Sequence, residues 1–135
     1  MMMPNDRPVV LVVEDDVAMN ELERELLALH GFRTAAAYTG KQAVDLCEKV
    51  GADAVLLDIM LPEMDGYETC RQLRRRYDGQ LPIVILSTLT GDASRQRGFA
   101  SGADAYFSKP FDPDEVIHAL QELIENTANR RLQRG

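Results

Sequence analysis

The chain of 135 residues has no tryptophan, four tyrosines, four phenylalanines and only two cysteines. Two cysteines cannot build a disulfide framework, and their spacing matches no common metal site. Cys47 and Cys70 are therefore predicted to be buried or half-buried thiols on two different helices. Because aromatics are few, aliphatic side chains must fill the core. The hydrophobic content of 45% is sufficient for one globular domain of this length.

Long apolar runs and basic residues are also scarce. No apolar stretch reaches about 18 residues, so no membrane span is predicted. Met1–Pro8 lacks the apolar centre of a signal peptide, and we expect a cytoplasmic protein. The net charge of −7 disfavours direct binding of nucleic acid and leaves a divalent cation or a basic partner surface as candidate ligands.

The chain is organised around the stretch Val55–Gly66. Its apolar run ends abruptly in Asp58, and Pro62 and the turn pair Asp65-Gly66 follow. Such a run is typical of a strand that is buried on both faces. A carboxylate at the end of a buried strand is costly unless a cation, a metal or a reaction uses its charge. Our central hypothesis is that Asp58 is a nucleophile.

Strand-like and helix-like segments alternate along the whole chain. The predicted strands are residues 9–13, 32–37, 54–58, 82–86 and 104–108. Amphipathic helices follow each of them, and the first carries Met19, Leu22, Leu26 and Leu29 at helical intervals. The alternation predicts the α/β class, with a doubly wound five-stranded parallel sheet and five helices. The fourth helix, with Gly98 in its interior, is predicted to be the least stable.

One domain, residues 8–125, accounts for these elements. Residues 1–7 are expected to be a flexible N-terminus. From Asn126 the apolar pattern stops, so residues 126–135 are expected to form a basic polar tail or the start of a linker. The sequence leaves open whether a C-terminal effector domain belongs to the protein.

Polar residues follow four of the predicted strands at equivalent positions. Glu14-Asp15, Asp58, Ser87 and Lys109 all stand at the C-terminal ends of predicted strands, which is the ligand-binding edge of a doubly wound sheet. Clustered carboxylates raise one another's pKa, and a divalent cation such as Mg²⁺ relieves their repulsion. A nucleophile, a metal, a cation and a hydroxyl are the parts needed for phosphoryl transfer to a carboxylate.

In this combination the chain resembles the receiver domain of two-component response regulators, over residues 8 to 125. The motifs that carry the resemblance are Glu14-Asp15, Asp58 with Pro62 and Asp65-Gly66, Ser87-Thr88, and Lys109-Pro110-Phe111. The resemblance implies a flavodoxin-like strand order 2-1-3-4-5. It also implies that Asp58 accepts a phosphoryl group from a phosphohistidine on a sensor histidine kinase or a phosphotransfer protein.

The resemblance further implies a set of site roles. Asp15 would bind Mg²⁺ (or Mn²⁺) directly and Glu14 through water, while Asp58 and the backbone carbonyl of Met60 complete the protein ligands. Lys109 would pair with the phosphoryl group. Asp15-Asp16, in place of Glu14-Asp15, could also align with the acidic pair of the family.

The resemblance also implies a conformational switch that responds to phosphorylation, and two further residues stand at its positions. Ser87 occupies the place of the switch hydroxyl, with Thr88 as an alternative that could share the role, and Tyr106 occupies the place of the switch aromatic. Phosphorylation would change the surface of the helix between Ser87 and Asp104, for an unknown output partner or a homodimer. The apolar Met60 and Leu89 flank the site, which predicts slow self-dephosphorylation.

Three other classes compete with this interpretation. A Mg²⁺-dependent phosphatase with an aspartyl nucleophile would carry a second Asp where Met60 stands. A flavin or nucleotide carrier needs a phosphate-binding loop after the first strand, where Glu14-Asp15-Asp16 stand instead. A pseudo-receiver that only docks partners would not need the full set of site residues.

Overall fold

The computed structural model describes residues 7–61, 64–89 and 91–134, in which strands and helices alternate strictly. The strands are β1 (Val9–Val13), β2 (Arg33–Ala37), β3 (Ala54–Asp58), β4 (Ile83–Ser87) and β5 (Ala105–Ser108). The helices are α1 (Val17–Leu29), α2 (Gly40–Lys49), α3 (Gly66–Tyr77), α4 (Asp92–Ala100) and α5 (Pro113–Arg134). Pro62 and Glu63, in the predicted turn after Asp58, lie outside the described residues.

The five strands form one parallel sheet in the order β2-β1-β3-β4-β5, which confirms the predicted α/β fold and strand order. Side chains that alternate along each strand enter two separate cores, one on each face of the sheet. Leu11 and Leu57 belong to one core, and Val12 and Leu56 belong to the other. Helices therefore cover both faces of the sheet, and the ends of the strands are left for polar groups.

The two cysteines lie in this interior, as predicted. Burial raises the pKa of the Cys47 thiol to about 11, and it raises the pKa of Cys70 to about 11 as well. Thiols with such pKa values are largely protonated at neutral pH and serve as small apolar side chains.

Side-chain caps fix where several helices begin. Asp16, Thr39 and Asp65 accept hydrogen bonds from backbone N–H groups in the first turns of α1, α2 and α3. Asp112 Oδ1 likewise accepts from the backbone N–H of Asp114 at the start of α5, at 2.9 Å. Each of these four residues stands directly before the first residue of its helix. Since each helix follows a strand end, the caps also fix the loops that carry the candidate site.

Helix α1 packs on the sheet with a face that its apolar spacing did not predict. Leu22 and Leu29 are 59% and 83% exposed, whereas Asn20, Glu23 and Leu27 are buried. Apolar spacing defines two possible faces of this helix, and hydrogen bonds offered by the sheet edge decide between them. Burial of Asn20 is favourable because backbone carbonyls accept hydrogen bonds from it.

Helix α5 is longer than the apolar pattern predicted, because it continues beyond Asn126 to Arg134. Thr127 is buried in this extension, and its Oγ1 accepts a hydrogen bond from Arg130. The side chain of Arg131 donates to the backbone oxygen of Gln80 at 2.8 Å. The contact of Arg131 with Gln80 holds the extension against the segment before β4. No helix in the described part of the chain is both long and apolar enough to cross a bilayer.

Candidate functional site

The structure brings Glu14, Asp58 and Lys109 together at the C-terminal edge of the sheet. Lys109 Nζ donates to Asp58 Oδ2 at 2.8 Å and to Glu14 Oε1 at 3.0 Å. The side chains of Lys109 and Asp58 are only 16% and 12% exposed, and that of Glu14 is 5% exposed. The strand order places these residues side by side, although Lys109 is 95 residues from Glu14 and 51 from Asp58 along the chain.

The cluster carries more negative charge than Lys109 can neutralise. Burial and the neighbouring carboxylate of Asp58 raise the pKa of Glu14 to about 7, although Lys109 opposes the shift. Burial also acts to lower the pKa of Lys109, but hydrogen bonds to Asp58 and Glu14 outweigh it and raise that pKa to about 12. The lysine is thus a permanent cation at this edge. The excess of carboxylates favours uptake of a proton or a second cation.

Both oxygens of Asp58 have defined partners. Oδ1 accepts from the backbone N–H of Met60 at 2.8 Å, and Oδ2 accepts from Lys109. The turn that follows is closed by the backbone of Gly66, whose N–H donates to the Ile59 carbonyl at 2.7 Å. The carboxylate is therefore held in one orientation at the mouth of the site, and it keeps some access to solvent.

The donor set fits Mg²⁺ in its chemistry. Among the residues of 7–61, 64–89 and 91–134, no group of three or more His, Cys, Asp or Glu side chains is already arranged around a metal position. Glu14 and Asp58 nevertheless both contact the ammonium group of Lys109, and Asp15 lies near enough to contribute to the raised pKa of Glu14. Oxygen ligands with excess negative charge are those that Mg²⁺ prefers.

Ser87 and Tyr106 meet at Leu89 rather than at the carboxylates. Ser87 is fully buried, and its Oγ accepts from the backbone N–H of Leu89 at 3.0 Å. The hydroxyl of Tyr106, which is 3% exposed, donates to the carbonyl of the same residue at 2.9 Å. The guanidinium of Arg95 on α4 lies 5.6 Å from the Tyr106 ring centroid. Leu89 thus connects the predicted switch hydroxyl with Tyr106, and Tyr106 in turn contacts Arg95 on α4.

A cavity of about 620 Å³ lies beside Lys109, between α1 and the segment that follows β5. Its walls are mainly the apolar side chains Met19, Leu22, Leu26, Pro110, Phe111 and Pro113. Thr88, Glu23 and Lys109 supply its polar lining. Thr88 is exposed at this cavity, whereas Ser87 is buried behind it.

Glu23 is a buried acid that the sequence did not single out. It is 5% exposed, and its Oε2 has no hydrogen-bond partner. Burial raises the pKa of Glu23 to about 7, with Lys109 lowering it and Asp58 raising it further. The spacing of Asn20, Glu23 and Leu27 along α1 marks a second helical stripe, and this was the signal available in the sequence.

We expect the Glu23→Gln variant to gain stability relative to the natural chain as the pH rises. The pKa of Glu23 is raised from 4.5 to about 7 in the folded state. Above pH 7 the folded protein therefore carries an unfavourable buried charge. The loss of stability caused by this charge is absent below pH 4.5, grows between pH 4.5 and 7, and reaches its full value above pH 7. Between pH 5 and 8 the difference in unfolding free energy should shift toward the variant by about 2 kcal/mol.

Urea unfolding followed by circular dichroism at both pH values measures this shift. Glu25→Gln, on the exposed side of the same helix, is the matched control and should show no such change. A constant difference between Glu23→Gln and the natural chain at pH 5 and pH 8 would contradict the assignment.

The sheet order and the acid–lysine cluster at its edge indicate a signalling domain of the receiver type. The chain belongs to the response regulator receiver domain family, whose model matches residues 10–121. It is 40% identical over 118 residues to the response regulator MprA of Mycolicibacterium vanbaalenii, covering 87% of this chain and 51% of that protein. The chain thus spans about half the length of the curated relatives it matches.

Solved structures show the same relationship. The receiver domain of the Francisella response regulator 1452 superposes with a TM-score of 0.82 at 31% identity, covering 90% of this chain and 99% of that one. A CheY-like receiver domain from Methanospirillum hungatei superposes with a TM-score of 0.84 at 22% identity, covering 92% of this chain and 98% of that one. The second likeness concerns the fold alone.

Proposed function

We propose that Asp58 accepts a phosphoryl group from a phosphohistidine on a sensor histidine kinase or phosphotransfer protein. The observation that carries the proposal is the contact of 2.8 Å between Asp58 Oδ2 and Lys109 Nζ, at a partly accessible sheet edge. A fixed ammonium group beside the acceptor stabilises negative charge on the phosphoryl oxygens as the group is transferred. Lys109 is suited to this role because its raised pKa keeps it charged.

The proposed transfer is a displacement at phosphorus. A carboxylate oxygen of Asp58 forms a bond to phosphorus, and the bond from phosphorus to the histidine nitrogen breaks. The imidazole leaves with the electron pair and takes a proton from solvent. The product is an acyl phosphate, which adds charge and acceptor oxygens at the site. Small phosphodonors such as acetyl phosphate would react in the same way, with acetate as the leaving group.

Mg²⁺ (or Mn²⁺) is the cofactor that we propose for this reaction. Asp15, Glu14, Asp58 and the backbone carbonyl of Met60 would hold the ion, which supplies positive charge for the phosphoryl oxygens. The raised pKa of Glu14 supports this assignment, because burial and the neighbouring Asp58 both disfavour the charged carboxylate, and a second cation would offset them.

The proposed switch acts through Leu89. Ser87 Oγ and the Tyr106 hydroxyl both contact the backbone of Leu89. After phosphorylation the Ser87 hydroxyl would turn to donate to a phosphoryl oxygen, which releases the Leu89 N–H and allows the loop to rearrange. Tyr106 and α4 would follow, because Arg95 connects them. The changed surface would then bind the output partner or a second copy of the chain.

The cavity beside Lys109 supports docking of the phosphodonor protein. The exposed apolar side chains of Met19 and Leu22 lie on one stripe of α1, and Phe111 faces the same cavity. An apolar helical stripe fits the apolar face of a partner helix. Because Lys109 lines the cavity, a protein that delivers a phosphoryl group to Asp58 would cover this surface. Sensor kinases act in the cytoplasm, where we place this domain, with residues 8–125 as its functional unit.

The rival interpretations are not favoured. A phosphatase would need an acidic group at residue 60, where Met60 is apolar and 58% exposed. A module that only docks partners would not need the buried pairing of Lys109 with Asp58 and Glu14.

Mapping of the phosphorylated residue tests the proposal. The protein is incubated with acetyl phosphate and Mg²⁺, and the acyl phosphate is reduced with borohydride before mass spectrometry of peptides. We expect the modification only on the peptide that contains Asp58. Modification of a peptide that lacks Asp58, or of none at all, would refute the proposed function.

The acyl phosphate should decay slowly, because Met60 and Leu89 offer no polar side chain to orient an attacking water. Both are partly exposed beside the site. We expect Met60→Asn to shorten the lifetime severalfold, since an amide can hold a water near phosphorus. Loss of radioactive label with time measures the lifetime, and Leu22→Asn is a surface control that should not change it. A half-life of seconds in the unmodified protein would contradict this prediction.

A further inference from the structure

We propose that Asn20 is a positioning residue for the carboxylate pair Glu14-Asp15. Its side chain is completely buried in α1, directly behind the loop in which these acids leave strand β1. Asn20 Nδ2 donates to the backbone carbonyls of Val12 at 3.2 Å, Glu14 at 3.1 Å and Ala37 at 3.2 Å. One amide therefore ties together the ends of β1 and β2 and the first residue of the acidic loop.

The orientation of this amide is determined by its surroundings. Asn20 Oδ1 accepts from Arg24 Nε at 2.7 Å, while only carbonyl oxygens lie within hydrogen-bond distance of Nδ2. The reversed amide would place its oxygen against those carbonyls and its NH₂ group against a guanidinium. Arg24 thus acts as the second member of a chain that runs from the helix surface to the carbonyl of Glu14.

The other hydrogen bonds of the acidic loop are short-range, apart from the last one of the strand pair. Strand pairing ends when the N–H of Glu14 donates to the carbonyl of Ala37 at 3.1 Å. Beyond it, the N–H of Asp16 donates to Glu14 Oε2 at 3.3 Å, and the N–H of Asn20 donates to the carbonyl of Asp16 at 2.8 Å. Asn20 therefore holds the loop through both its side chain and its backbone. Loss of the side-chain bonds would leave three buried carbonyls without this donor and free the segment to shift.

The consequence concerns the metal. This inference rests on the proposed binding of Mg²⁺ by Glu14 and Asp15, and it adds that their preorganisation depends on Asn20. Residues that orient metal ligands from behind change metal affinity by about 10- to 100-fold when they are replaced. If Asn20 were needed only for folding, its replacement would lower thermal stability and leave the Mg²⁺ affinity of the folded protein unchanged.

Isothermal titration with MgCl₂ on folded protein tests the role of Asn20. We expect Asn20→Leu, which keeps the volume but has no polar group, to raise the Mg²⁺ dissociation constant about 10-fold. Asp53→Ala is the matched control. Asp53 Oδ2 accepts from the N–H of Val9, at the opposite end of the same strand, so its loss should destabilise the fold without changing Mg²⁺ affinity.

A measurement on the unmodified chain keeps the inference testable if Asn20→Leu does not fold. The side-chain amide signals of Asn20 should be protected from hydrogen exchange and should shift during Mg²⁺ titration with the same dissociation constant as the bulk protein. Absence of that shift, or equal Mg²⁺ affinity in Asn20→Leu and the unmodified chain, would overturn the role of Asn20 alone. Absence of any Mg²⁺ binding to the unmodified chain would overturn the metal assignment as well.

Discussion

The Asp58→Asn variant is expected to fold and to incorporate no phosphoryl group from acetyl phosphate and Mg²⁺. An amide is a very weak nucleophile compared with a carboxylate, so the reaction should fall to the background seen without protein. The variant keeps an acceptor for the backbone N–H of Met60, and Lys109 keeps its ion pair with Glu14. Circular dichroism establishes the fold, and labelling with radioactive acetyl phosphate measures the incorporation.

A second aspartate provides the control for this experiment. Asp53 lies just before β3 at the opposite end of the sheet, where its carboxylate accepts from the N–H of Val9. Asp53→Asn keeps an acceptor for that bond and should incorporate label at the rate of the unmodified chain. Undiminished labelling of Asp58→Asn would contradict the assignment of Asp58 as the phosphoacceptor. Loss of labelling in both variants would point to a general structural defect.

The Gly66→Ala variant should lose about 3 kcal/mol of stability, which is the largest change in stability that we predict. A Cβ at Gly66 would collide with the Cα of Ile59 and lie 2.6 Å from the carbonyl oxygen of Asp58. Both contacts are with backbone, so rotation of a side chain cannot relieve them. The turn must therefore move, and it carries Asp58 with it. Urea unfolding measures the loss of stability, and labelling by acetyl phosphate should slow as well.

Gly79→Ala separates this collision from the ordinary cost of replacing a glycine. Gly79 has a φ of +78°, but a Cβ there would meet nothing within 4 Å. Its replacement should cost about 1 kcal/mol, from backbone strain alone, and should leave phosphorylation unchanged. Equal losses of stability in the two variants would argue against the close packing of Gly66 on the strand that carries Asp58.

Much of the site was predictable because its residues follow strand ends. The apolar run before Asp58 and the one before Glu14 each stop at a carboxylate, and a parallel sheet brings such ends to one edge. Lys109 could be added because it follows a strand in the same alternation. The distances of 2.8 Å and 3.0 Å that Lys109 makes to the two acids could not be predicted. They depend on side-chain conformations and on the twist of the sheet.

The supporting residues were not predictable in the same way. Asn20 and Glu23 are polar residues in an amphipathic helix, where such positions normally face solvent. Gly66 had the pattern of an ordinary turn residue, and only the close approach of the Ile59 backbone shows why a side chain is excluded there. In these cases the packing of one element on another decides the role, as the end of β1 does for Asn20 and the backbone of Ile59 does for Gly66.

The sequence by itself determined the order of strands and helices along the chain and the set of polar residues at the strand ends. These features are local, because they depend on apolar runs and on helical spacing. Only the tertiary structure decided which face of α1 is buried and how far α5 extends. Those outcomes depend on hydrogen bonds with other segments, such as the carbonyls that receive Asn20 and the Gln80 carbonyl that receives Arg131.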